Sequence, residues 1–165
     1  MNDGEKGFKF EYANMEAYSE PGTKIKVIGA GGCGCNIVDD MYKSGMKNVE
    51  LIGVNTETQS LSRISADCKV QIGKNLTSGN GSGGDPKVGE KAAEEDRGII
   101  EQKLAGADML FITAGIGGGT GSGASPIIAD IARNLGILTV AVVITPFEDE
   151  IDDNKRRIVE NSLER

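Results

Sequence analysis

Histidine and tryptophan are absent from this 165-residue chain, and aromatic residues make up only 4% of it. Without histidine there is no Ser-His-Asp or Cys-His catalysis, no histidine-ligated metal and no histidine-based pH switch. No apolar run approaches the roughly 20 residues that a transmembrane helix needs. We therefore expect no direct insertion into a membrane.

Positive charge is also scarce. The chain has 18 Lys and Arg residues and 25 Asp and Glu residues, which gives a net charge of −7 and a pI near 4.7. Nonspecific binding to nucleic acid or to anionic membranes needs the opposite balance. We expect no nucleic-acid partner. An anionic ligand would have to be held by local dipoles.

Cysteine is limited to three residues, Cys33, Cys35 and Cys68, and no signal peptide precedes them. An odd number of thiols without a secretion signal predicts a reduced, cytoplasmic protein. A metal site built from the Cys-x-Cys pair and Cys68 is an alternative, but it lacks a fourth ligand, and small, partly buried thiols fit the pattern better.

The length fits one domain, which we place at 23–165 after a flexible N-terminal arm at 1–22. The arm is polar and acidic and ends at Pro21-Gly22. Phe8, Phe10 and Tyr12 alternate within it, so a short edge strand or docking segment is the alternative.

From Lys24 onward, apolar β-branched runs alternate with helical stretches, as expected for an α/β fold. The fully apolar run at 138–144 suits a strand buried on both faces of a parallel sheet. We predict a doubly wound, mostly parallel sheet with helices on both faces, whose strand-to-helix loops meet at one edge. The predicted strands are 25–29, 49–54, 68–72, 109–113 and 137–144, and the predicted helices are 36–44, 58–64, 87–104, 122–135 and 153–165.

The first of these loops, Gly29 to Asn36, matches the dinucleotide fingerprint G-x-G-x-x-G. Its amides can meet an anion at the start of the first helix. An NAD-binding oxidoreductase domain is therefore one candidate function. Such a site also expects an acidic residue after the second strand, where this chain has Asn55-Thr56-Glu57.

A second loop, Gly115 to Gly123, has six glycines in nine positions and follows the fourth strand. Glycine loses more conformational entropy on folding than any other residue, so such a loop is difficult to explain without a ligand. Two phosphate-type loops on one edge favour a polyphosphate. Because the chain has no G-x-x-x-x-G-K-[ST] motif, backbone amides, helix dipoles and Mg²⁺ would have to stabilise its charge.

A third glycine-rich stretch, Gly79 to Pro86, separates the third strand from an acidic helix. It is interpreted either as a flap over the terminal phosphate or as a flexible connector. The residues alone do not favour one of these readings.

Five ordered segments together resemble the tubulin/FtsZ family of GTPases, over residues 24 to about 163. They are IKVIGAGG at 25–32, VNTETQSL at 54–61, GGDPKVG at 83–89, GGGTGSGA at 117–124 and TPF at 145–147. The resemblance implies a Rossmann-like GTPase domain that binds GTP or GDP, with Mg²⁺ held through the nucleotide phosphates. It further implies head-to-tail assembly with copies of itself, division-ring partners and a cytoplasmic location at the division site.

Carried over by position, the family's nucleotide contacts fall into three groups. Glu150 corresponds to an acidic residue that contacts ribose, and Asn154 or Lys155 stands where the family has an arginine. Asn55 and Thr56 would lie near the γ-phosphate or magnesium. The remaining candidate contacts are Gly31, Gly32, Cys33, Gly34, Cys35, Asn36, Gly83, Gly84, Gly115, Gly117, Gly118, Gly119, Thr120, Gly121, Ser122 and Pro146.

The sequence ends at Arg165, before the segments that complete the family's catalytic cycle. In relatives, an acidic loop of the neighbouring subunit positions the attacking water, so no catalytic residue is expected within this chain. We expect the 165-residue chain to bind guanine nucleotide weakly and not to hydrolyse it alone. A nonhydrolysing scaffold or regulator that keeps only the pocket is a further alternative.

Overall fold

The computed structural model describes residues 22–147 and 151–164. Five strands form one parallel sheet in the order β3-β2-β1-β4-β5. The predicted doubly wound α/β architecture is confirmed. The strands are β1 (Ile25–Ala30), β2 (Val49–Asn55), β3 (Cys68–Gln71), β4 (Met109–Gly115) and β5 (Leu138–Ile144).

Seven helices accompany the sheet in the described part of the chain. None of them is long and apolar enough to cross a bilayer. They are α1 (Gly31–Lys43), α2 (Thr58–Arg63), α3 (Lys74–Thr77), α4 (Pro86–Glu95), α5 (Arg97–Leu104), α6 (Gly119–Asn134) and α7 (Asp153–Leu163).

The core is centred on β1, which pairs with β2 on one side and with β4 on the other. Ile28, Ile52 and Ile112 lie side by side in this register and are fully buried. Complete burial of each such side chain contributes about 1.5–3 kcal/mol. This apolar row fixes the relative register of the three strands whose carboxyl ends carry the glycine-rich loops.

Two helices begin at least three residues earlier than the sequence predicts. Helix α1 starts at Gly31 rather than Asn36, and α6 starts at Gly119 rather than Ser122. Tertiary packing overrides the low helix propensity of glycine here. The first two glycine-rich segments are therefore largely the first turns of helices, and their backbone amides point toward the strand ends.

The single helix predicted over 87–104 is wrong, because the chain breaks at Asp96 into α4 and α5. The Asp96 carboxylate accepts a 2.7 Å hydrogen bond from the backbone N–H of Gly73. This contact ties the break to the turn after β3, a long-range cause that helical periodicity does not reveal. The four-residue helix α3 was also missed, since it is too short to show a period.

The prediction that β5 is buried on both faces is wrong. This strand pairs with β4 and lies at the edge of the sheet, and Leu138 and Val142 are 64% and 54% exposed. Its apolar run indicated a strand but not its position in the sheet.

Candidate nucleotide site

A cleft of about 640 Å³ lies at the carboxyl edge of the sheet, where the loops after β1, β2, β4 and β5 meet the 79–86 loop. Parallel strands bring all of these loops to the same edge. The candidate residues that line the cleft are Gly31, Gly32, Cys33, Asn55, Thr56, Gly83, Gly115, Gly117, Gly118, Gly119, Thr120, Gly121, Pro146 and Lys155.

The other candidates lie elsewhere. Gly34, Cys35, Asn36, Gly84, Ser122 and Asn154 do not line the cleft. Glu150 is outside the described residues, as is the predicted N-terminal arm apart from Gly22.

The first turns of α1 and α6 contact each other at the centre of the cleft. Gly31 has φ +72°, and a Cβ atom there would lie 2.7 Å from the backbone nitrogen of Gly121. Neither helix has a side-chain hydrogen bond at its N-cap or an acidic residue in its first turn. Two sets of helix-terminal N–H groups are therefore available to one anionic ligand.

The loop that enters α6 is held by its own helix. The backbone N–H of Gly117, where φ is +106°, donates a 3.0 Å hydrogen bond to the Ser122 hydroxyl. Ser122 is buried. Its hydroxyl therefore holds the backbone of the glycine loop in place through this hydrogen bond.

After β2, the side chain of Asn55 holds the turn by accepting hydrogen bonds from two backbone N–H groups, those of Thr56 at 2.8 Å and Glu57 at 3.3 Å. The adjacent Thr56 hydroxyl lies 2.7 Å from the hydroxyl of Thr120 in α6. Thr56 lines the cleft but is fully buried. The residue that follows β2 and the first turn of α6 are thus joined by a side-chain hydrogen bond.

The 79–86 loop lies over the same end of the cleft. The Gly79 carbonyl accepts a 3.0 Å hydrogen bond from the N–H of Thr58, and Asn80 forms an antiparallel bridge with Glu57. At the far end, Asp85 caps α4 by accepting a 2.8 Å bond from the N–H of Lys87. Between these anchors, residues 80–83 line the cleft.

Few charged side chains line the cleft. Glu57 and Lys155 are the charged residues among its described lining, and Glu57 accepts a hydrogen bond from the Ser60 hydroxyl. Oriented N–H groups of the lining are therefore available to an anion in addition to Lys155.

The two cysteines of the first loop differ sharply. Cys33 is exposed and lines the cleft, whereas Cys35 is buried, with its Sγ atom 3.6 Å from the carbonyl oxygen of Gly29 and 3.5 Å from that of Val54. Burial raises the pKa of the Cys35 thiol to about 11. Over the described residues, no group of three or more His, Cys, Asp or Glu side chains could hold a metal ion.

Sequence reasoning missed part of the lining. Ser82 and its neighbours in the third glycine-rich loop were recognised as a segment but not as individual contacts. Phe147, 80% exposed, belongs to the TPF segment that carried the resemblance. The missed lining residues are Ala30, Glu57, Asn80, Gly81, Ser82, Ile116, Ile144, Thr145 and Phe147.

The sequence of this chain is similar to those of known cell division proteins. The chain is 50% identical over 142 residues to the cell division protein FtsZ of Neisseria gonorrhoeae and to that of Neisseria meningitidis. The match covers 86% of this chain but only 36% of each relative.

Solved structures give the same assignment. An FtsZ dimer from M. jannaschii superposes with a TM-score of 0.85 at 41% identity, covering 91% of this chain and 43% of that one. The GTPγS-bound protofilament of CetZ2 from Haloferax volcanii gives 0.76 at 28% identity, over 86% and 45%. The model of the Tubulin/FtsZ family GTPase domain matches residues 24–164, and the chain therefore belongs to that family.

Proposed function

We propose that the cleft binds GTP and GDP. The observation that carries this proposal is the meeting of two helix N-termini, those of α1 and α6, at Gly31 and Gly121. Their N–H groups can donate to phosphate oxygens in a space that any side chain at Gly31 would enter. The CetZ2 structure with GTPγS supports guanine nucleotide as the ligand of this family's fold.

The order of the strands in the sheet predicts the orientation of the nucleotide in the cleft. The resemblance places ribose near Glu150 and Asn154 or Lys155, and Lys155 lines the cleft beside Pro146, just after β5. The phosphates then extend past the first turns of α6 and α1 toward the end of β2, where Asn55 and Thr56 lie.

The described cleft suits Mg²⁺ that is bound through nucleotide phosphates rather than by a cage of protein ligands. Mg²⁺ usually keeps several waters and takes one or two carboxylates plus phosphate oxygens. Glu57 is the carboxylate in the described lining, and Ser60 donates a hydrogen bond to it. When bound, the ion would offset charge on the phosphates.

We further propose that the full-length protein assembles head to tail at the division site and hydrolyses GTP with help from a neighbouring subunit. This chain spans about a third of the curated relatives' length, so these activities belong to a longer protein. Within this cleft, the contribution to hydrolysis is positioning and electrostatic stabilisation by amides. The FtsZ dimer and CetZ2 protofilament support self-assembly.

The test is calorimetric titration of the 165-residue chain with GDP, GTP, ATP and NAD⁺ in Mg²⁺ buffer. Binding of GDP and GTP without ATP or NAD⁺ is expected. Selective NAD⁺ binding would support the oxidoreductase alternative, and no binding of guanine nucleotide at millimolar concentration would overturn the proposal.

Phosphate release separates binding from turnover. We expect no GTP hydrolysis by the isolated chain. Rapid, concentration-dependent turnover would contradict the role assigned to a neighbour's loop. Electron microscopy of the chain mixed with a full-length relative and GTP tests the scaffold alternative, for which incorporation without turnover is expected.

A further inference from the structure

We propose that Gly89 is a positioning residue for the phosphates of the nucleotide, and that it acts by letting α4 support the first turn of α6. This inference rests on the proposed binding of guanine nucleotide. Gly89 does not line the cleft, so no contact with the ligand is assigned to it. It ends the GGDPKVG segment at 83–89, in which the sequence suggested contacts only at Gly83 and Gly84.

The backbone conformation of Gly89 does not itself require glycine. Gly89 is buried in α4 and is not among the residues with positive φ. Glycine is a poor helix former, so a buried helical position without a special dihedral angle would favour alanine. The reason for a glycine at this position therefore lies in what surrounds it.

The surroundings of Gly89 are the backbone of α6. A Cβ atom at Gly89 would lie 2.5 Å from the carbonyl oxygen of Gly119 and 2.9 Å from the Cα atom of Thr120. Further along α6, a Cβ atom at Gly123 would lie 2.6 Å from the backbone nitrogen of Glu90 in α4. The two helices thus meet backbone to backbone at these points.

The part of α6 that Gly89 approaches is the part that faces the ligand. Gly119, Thr120 and Gly121 line the cleft and form the first turn of α6, which has no side-chain hydrogen bond at its N-cap. This turn is packed between α1, through the approach of Gly31 to Gly121, and α4, through Gly89. The position of the N–H groups proposed to bind phosphate therefore depends on α4.

A contact between two backbones transmits a displacement that a flexible side chain could absorb. Nonbonded heavy atoms attract best at about 3.5 Å or more, so a methyl group at Gly89 would push α4 and the first turn of α6 apart by about 1 Å. Hydrogen bonds from N–H groups weaken steeply when their distance and angle change by this amount. Added volume in α4 should therefore weaken phosphate binding without touching the ligand.

The experiment compares GDP affinity, measured by calorimetry, with the free energy of unfolding, measured in urea, for the full 165-residue chain and its variants. Gly89→Ala is expected to weaken GDP binding about tenfold, which corresponds to the loss of one hydrogen bond to a charged group. The same variant should also unfold at a lower urea concentration, because the two helices are forced apart.

Two controls separate positioning from a general loss of stability. Gly98→Ala makes the same substitution in α5, where a Cβ atom would have nothing within 4 Å, and should leave GDP affinity unchanged. Leu104→Ala removes a fully buried side chain at the end of α5, outside the cleft, and should lower stability through a cavity. As long as it stays folded, this variant should also bind GDP like the wild type.

A milder pair of variants tests the same support if Gly89→Ala does not fold. Asp85 caps α4 by accepting a hydrogen bond from the N–H of Lys87. Asp85→Ala should bind GDP about threefold more weakly than Asp85→Asn, which removes the same charge but keeps a capping side chain. Equal GDP affinities in this pair would show that the first turn of α4 does not position the site.

The outcomes separate the two proposals. If the wild-type chain binds GDP, and Gly89→Ala changes its affinity no more than Leu104→Ala does, the role of Gly89 is overturned and the proposed function stands. If the wild-type chain does not bind GDP, both are overturned.

Discussion

The backbone N–H of Gly117 and the hydroxyl of Ser122 form a hydrogen bond of 3.0 Å across the entry to α6. Gly117 has φ +106°, a conformation that L side chains rarely adopt, and Ser122 is 2% exposed. The buried serine thus fixes a turn whose backbone conformation glycine adopts readily, and it does so from a position outside the cleft. Its contribution to binding is indirect, through the shape of the glycine loop.

Replacement of Ser122 by Ala is expected to lower the free energy of unfolding by about 1–2 kcal/mol, because the Gly117 N–H loses its partner. Nucleotide affinity should fall with it, since the loop is no longer held. Urea unfolding and calorimetry measure the two effects.

Ser125→Ala is the matched control for that variant. Ser125 is also buried in α6, but its hydroxyl donates to the Gly121 carbonyl within the same helix. Such back-bonding adds little stability, and alanine is the better helix former. Equal losses in Ser122→Ala and Ser125→Ala would contradict a specific role for the Gly117 contact.

Gly119→Ala is expected to destabilise the protein by about 1–3 kcal/mol and to displace the 79–86 loop. The new methyl group would meet the backbone nitrogen and oxygen of Asp85 at 2.8 and 2.9 Å, and backbone atoms cannot move aside cheaply. Thermal unfolding measures the loss.

Gly32→Ala provides the contrast, because a Cβ atom at Gly32, in the first turn of α1, would have nothing within 4 Å. It should raise stability by about 0.5–1 kcal/mol through the lower entropy of the unfolded chain. A loss in Gly32→Ala as large as that in Gly119→Ala would show that steric contact is not the cause.

Alkylation should distinguish Cys33 from Cys35. Iodoacetamide reacts with the thiolate, and with a pKa of about 11 only about one Cys35 thiol in a thousand is ionised at pH 8. Cys33 is exposed in the cleft. Mass spectrometry of the native chain should show labelling at Cys33 and not at Cys35.

The same labelling is then repeated in the presence of nucleotide. Saturating GDP should slow labelling of Cys33, because the ligand would occupy the space in front of its thiol, while ATP should not. Rapid labelling of native Cys35, or of Cys33 in the presence of bound GDP, would contradict the assigned positions.

The ion pairs around Asp130 should make stability depend on pH. Arg97 donates a 2.9 Å hydrogen bond to this carboxylate and, together with Arg133, lowers the pKa of Asp130. A depressed pKa in the folded state stabilises the protein above the ordinary carboxyl pKa, and the stabilisation is lost as pH falls through the folded-state value.

Asp130→Asn should therefore reduce stability at pH 7 and pH 5, and the difference from the wild type should shrink at pH 3. Urea unfolding at the three pH values measures it, and added salt should diminish it because the pairs are partly exposed. A difference that stays constant down to pH 3 would show that the charge of Asp130 is not its source.

Local patterns predicted most of the elements. The strands β1, β2 and β4 were expected within two residues of their observed bounds, because their β-branched runs end at glycine or asparagine. The parallel topology followed from the alternation of strands and helices. The two glycine loops could be placed on one edge for the same reason.

Burial and the fine composition of the site could not be obtained in that way. The apolar residues of β5 look alike whether a strand is central or at an edge, and only the pairing of Leu138 to Ile144 with β4 places it at the edge. Cys35 was expected among the contacts, yet the rotation of α1 turns its thiol toward the Gly29 carbonyl and away from the cleft.

The family resemblance and the α/β class depend on short segments, and they can be predicted from ordered motifs and from the alternation of apolar runs with helical stretches. The contact between Ser82, Thr120 and Thr56 joins residues 38 and 64 positions apart in the chain. Such a contact exists only once the sheet has brought three loops to one edge, because hydrogen-bond geometry depends on distances that no local pattern encodes.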